Sequence, residues 1–118
     1  MENRSAIISF SQSEKVKSGL IWCTQSTHLL QNLPHEQRRG ALLLLQALIA
    51  MISTEVQTAR QASGDSAWLE VDKCILSAKV MVDSGVAEAC DFHFTQALSR
   101  VNTIGQKAMA HLVAQGLM

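Results

Sequence analysis

Residues 34–61 read PHEQRRGALLLLQALIAMISTEVQTARQ. Ala41, Leu45, Leu48, Ile52, Val56 and Ala59 recur at spacings of three and four, which places them on one side of an α-helix. The stretch therefore predicts a long helix over 34–61 with one face buried along its length. Four consecutive leucines, Leu42 to Leu45, run around that helix rather than down it, so contact on more than one side is expected. Gly40 costs about 1 kcal/mol of helix propensity relative to alanine. It marks either a close crossing or a tolerated weak point.

Working outward from this helix, Asn32-Leu33-Pro34 forms the turn before it, because proline suits a first helical turn and restricts the residue in front. A preceding helix over 13–33 presents Val16, Leu20, Cys23, Thr27 and Leu30 as its inner stripe. Ile21, Trp22, Leu29 and Leu33 spill beyond that stripe and call for a second contact. Ser11 and Glu14 have capping-box spacing for the start of this helix. Ala6 to Phe10, ahead of a Ser-rich break, is expected to form a short N-terminal arm packed on the rest.

On the other side, Ala62-Ser63-Gly64-Asp65-Ser66 interrupts the pattern, with Gly64 suited to a left-handed conformation and Asp65 or Ser66 to capping the next helix. That helix, over 67–83, carries one seam of Leu69, Leu76 and Val80 and a second of Trp68, Val71, Ile75, Ala78 and Val82. Asp83-Ser84-Gly85 stops it. The last helix, 86–115, turns Val86, Cys90, Ala97, Val101, Ile104, Ala108 and Leu112 inward, with Phe94 and Leu98 beside them. Four amphipathic helices joined by short links imply an all-α, antiparallel four-helix bundle with a short N-terminal arm, residues 1–118 forming one helical domain.

Composition limits the function. The chain has 118 residues, 47% of them apolar, enough for one modest core without staples. Ten basic residues balance ten acidic ones, so no overall field draws the chain to nucleic acid or an anionic membrane. From Gln61 to Asp91 six acids face only Lys73 and Lys79, and nothing after Asp91 is acidic. Three cysteines, Cys23, Cys74 and Cys90, include no Cys-x-x-Cys pair and read as free thiols in a reducing compartment. The start MENRSAIISF lacks a secretory pattern, and the apolar run Ala41 to Ile52 is shorter than the roughly 20 residues a bilayer needs. A cytoplasmic protein is the expectation.

The candidate chemistry is thin. Di-iron bundles use a Glu-x-x-His on two helices, and here Glu88 meets Asp91 at that spacing and Glu70 meets Lys73. Cys90 and His93, three apart on one helix, are the candidate metal ligands if a third group, such as Cys74, Cys23 or His28, approaches from a neighbour. As a nucleophile Cys90 is poorly served, with Asp91 beside it and no oxyanion loop. His28, His93 and His111 lack the neighbourhood of a phosphate relay. Arg38 and Arg39 are candidate anion contacts, although two arginines beside Glu36 fall short of a nucleic-acid stripe.

The remaining reading is a small helical protein-interaction module, an adaptor, chaperone or dimerising regulator. Its expected interface residues are Trp22, Trp68, Leu29 and Leu33, since tryptophan anchors interfaces well. A homodimer and a protein or peptide partner are expected, with no cofactor, membrane or nucleic acid. The alternative is a bundle that holds a small ligand or metal, with catalysis as a further step.

Overall fold

The computed structural model describes all 118 residues. Four α-helices account for nearly the whole chain: α1 (Asn3–Gln31), α2 (His35–Ser63), α3 (Trp68–Asp83) and α4 (Cys90–Ala114), the last preceded by one 3-10 turn, Ala87–Ala89. Each helix packs on two others, in the cycle α1, α2, α3, α4 and back to α1. The result is an all-α four-helix bundle, elongated to 54 × 21 × 19 Å.

Paired positions fix how the helices run past one another. Ser5 Oγ donates to the Ser63 carbonyl at 2.8 Å, and Gln12 Nε2 donates to the Glu55 carbonyl at 3.1 Å. Gly19 lies against Ile52 further along. As numbers rise along α1 they fall along α2. Between α1 and α4 the same holds for Asn3 with His111 and His28 with Asp91.

The N-terminal arm is a correction. Ala6 to Phe10 belongs to α1, which begins at Asn3, so Ser11 lies inside a helix and caps nothing. The reason lies in small residues. Ala6, Ser9, Ser13 and Val16 are all buried at spacings of three and four, extending the inner stripe upstream. Ser13 satisfies its hydroxyl by donating to the Phe10 carbonyl at 2.8 Å, so its burial leaves no lone donor.

Elsewhere the inner stripes follow the periodicity. Val16, Leu20, Cys23, Thr27 and Leu30 of α1 are buried, as are Trp68, Val71, Ile75, Ala78 and Val82 of α3. The other seam of α3 is not, since Leu76 and Val80 are exposed. On α2 the buried line is Leu45, Ile49, Ile52, Val56 and Ala59, with Ala41 and Leu48 only half covered. Gly64, at φ 70°, ends α2 in the left-handed conformation that glycine adopts without strain. Asp65 then accepts from the Ala67 N–H at 2.9 Å, which ties down the start of α3. Val86 lies outside α4, in the link where Gly85 takes φ 81°.

Candidate functional site

The helix with the long apolar stretch, α2, is the least covered one. Only 22% of the most apolar 18-residue window of α2 is buried, and by length and composition this helix is long enough to cross a membrane. The run Ala41 to Ile52 is the densest part of this longer helix, whose apolar residues continue beyond it at Val56 and Ala59. A core helix passes the same test when its window is buried. Here less than a quarter of it is buried.

The exposed side of α2 has its own order. Gly40, Leu44, Ala47, Met51, Thr54 and Thr58 are all exposed and alternate at spacings of four and three, the repeat of a helix-pairing seam. Leu44 is 75% exposed, Met51 64% and the neighbouring Leu43 62%. The only charged residue between Arg39 and Arg60 is Glu55. Its carboxylate is engaged with α1, where Gln12 Nε2 donates to it at 3.1 Å and Lys15 Nζ lies 3.1 Å away. These hydrogen bonds, Gln12 first and then Lys15, hold the Glu55 carboxyl below its usual range.

Trp22 of α1 borders this seam. Its indole is 59% exposed and lines a shallow groove of about 130 Å³ with Gly19, Leu48, Met51 and Ile52. One heptad further on, Leu29 is also exposed. Leu33 sits half-buried in the link between α1 and α2. Trp22 and Met51 thus meet at one groove, with Leu29 one heptad beyond Trp22 on α1 and Leu44 one heptad before Met51 on α2. The four-leucine run signals this excess. Which leucines lie outside is decided by packing.

Trp68 corrects the expected interface. It is 0% exposed, packed with Val71 and Ile75 in the main core, so it offers nothing to a partner. Its neighbours at positions 71, 75, 78 and 82 form one unbroken inner line, and the indole is the first member of it.

Cys90 and His93 do not converge with a third ligand, and no group of three or more His, Cys, Asp or Glu is placed to hold a metal ion. Cys90 is buried, its Sγ donating to the Ala78 carbonyl at 3.2 Å. Burial, followed by the nearby Asp91 carboxylate, pushes its thiol up to about 11, which disfavours the thiolate a metal or a nucleophile requires. Burial likewise raises Cys23 to about 12. His93 stacks edge-on with Phe92, the ring centres 5.3 Å apart. His28, a second candidate ligand, instead lies with its Nε2 2.6 Å from Asp91 Oδ2 at the surface.

Arg38 has a structural duty. Its Nε donates to the Leu33 carbonyl at 3.0 Å and its Nη2 to the Gln31 carbonyl at 3.1 Å, closing the end of α1. Cations there satisfy carbonyls that lack helical partners. Arg39 stays exposed on the rim of an open cleft of about 340 Å³ that also includes His35, Leu42 and Glu88. Glu88 opposes an anion at that place.

Comparison with protein-family models, with curated proteins and with solved structures finds no match to this chain.

Proposed function

We propose that this chain is a small helical interaction module whose working surface is the outer side of α1 and α2. The observation that supports it is the exposure of Leu44, Met51 and Trp22 on one side of a bundle whose other tryptophan is wholly buried. With Leu43 beside the seam and Leu29 on the adjoining α1, they leave on the order of 500 Å² of apolar surface in water, near the top of the 300–600 Å² found for the largest patch of an ordinary monomer. Removing such a surface from water stabilises a complex, and a tryptophan at its edge is a favoured anchor. Catalysis has less support, because the thiols are raised and the close pair of His28 and Asp91 is joined by no third His, Cys, Asp or Glu that could hold a metal.

A photoactivated benzophenone amino acid at position 44 tests this reading in living cells. Covalent adducts with polypeptide are expected. Adducts with lipid alone, or none while the bundle remains folded, would contradict it.

A further inference from the structure

We infer that the occupant of the α2 outer face is a second copy of this chain, its own α2 laid against the first in the opposite direction. The inference rests on the interaction reading above and names the partner.

Shape favours this direction. Along the seam, small residues alternate with large ones: Gly40, Leu44, Ala47, Met51. A Cβ built on Gly40 meets nothing within 4 Å, so no contact inside the bundle requires a glycine there. Two copies laid in the same direction would set Leu44 against Leu44 and Gly40 against Gly40, and the gap between helices would have to widen and narrow at each layer. Two copies laid oppositely, with Leu44 against the partner's Ala47, also set Met51 against the partner's Gly40. Every layer then pairs large with small. The helices keep one spacing, and a two-fold axis closes the assembly.

The seam is also uncharged. Between Gly40 and Thr54 it carries no ionisable side chain, so laying it against a second copy takes no ion out of water.

The area is also sufficient. A standard interface buries roughly 800 Å² per partner, somewhat over half of it apolar. Leu44 and Met51 on the seam, Leu43 beside it, and Trp22 and Leu29 on the adjoining α1 together approach that apolar share.

Two variants test the register directly, each made with Cys74→Ser so that the two native thiols left are the buried Cys23 and Cys90. Gly40→Cys protein and Met51→Cys protein are treated with a short bis-maleimide, singly and as a mixture, after circular dichroism has shown that both fold. Cross-linked dimer in the mixture, and little in either protein alone, is the expected result. Cross-linking of Gly40→Cys protein alone, or of neither the variants nor their mixture, overturns the inference. The benzophenone adduct at position 44 separates the two levels. A polypeptide other than this chain overturns the second-copy inference and leaves the interaction reading standing, whereas a lipid adduct or none removes both.

Discussion

Gly19 and Ile52 meet where α1 passes α2, and a Cβ placed on Gly19 would lie 2.9 Å from Ile52 Cγ1 and 3.0 Å from its Cδ1. Ile52 is itself buried, so it has little room to swing aside. Gly19→Ala therefore sets a gain of about 1 kcal/mol in helix propensity against an overpacking cost of about 1–3 kcal/mol. Net destabilisation is expected in urea melts. It should shrink when Ile52→Ala is already present, since the two changes share one space. Gly40→Ala is the contrasting case. With nothing near its Cβ, it should stabilise the isolated protomer by up to about 1 kcal/mol.

The two tryptophans should behave as opposites. Trp68→Ala empties a core site and is expected to cost about 3–5 kcal/mol in a monomeric background such as Leu44→Glu. Trp22→Ala in the same background should cost under about 1 kcal/mol. With Trp22→Phe, the single remaining indole should emit at short wavelength and resist quenching by iodide. A readily quenched Trp68 would contradict its place in the core.

Small-residue contacts also explain what the sequence conceals. Ser9 and Ser13 read as a polar break, yet both are buried, because short side chains let helices approach closely. A Cβ on Gly105 of α4 would meet Ser13 Oγ at 2.6 Å. Hydrophobic periodicity weighs leucine and valine heavily and serine hardly at all, so the start of α1 reads as an arm. From Val16 to Leu30 the stripe is legible, since it is built of larger residues with one threonine. For the outer face the composition is informative and the orientation is not. Leu42 to Leu45 signal surplus apolar surface, but only packing against α1 and α3 decides that Leu45 goes in and Leu44 stays out. Trp68 shows the same ambiguity, because a tryptophan suits a core as readily as an interface.

The thiols give a pH dependence with a definite sign. Burial raises Cys23 to about 12 and Cys90 to about 11 from the ordinary 9.0. Between about pH 9 and those values the unfolded chain has released thiol protons that the folded chain still holds. Stability from this source is complete below pH 9 and is lost as pH climbs toward 11 to 12. Denaturant melts should therefore show a steeper alkaline decline for the native chain than for Cys23→Ala/Cys90→Ala. Equal slopes would contradict the raised thiols. In native protein at pH 8, the half-buried Cys74 should be alkylated before either of the others, as followed by intact-mass measurement.

Sedimentation equilibrium of the native chain beside Leu44→Glu, over a wide range of concentration, tests the central claim most directly. A native dimer and a Leu44→Glu monomer with unchanged helical circular dichroism are expected, because a carboxylate at the middle of an uncharged seam has no partner to neutralise it. A native chain that stays monomeric throughout, or a Leu44→Glu protein that remains a dimer, would contradict it.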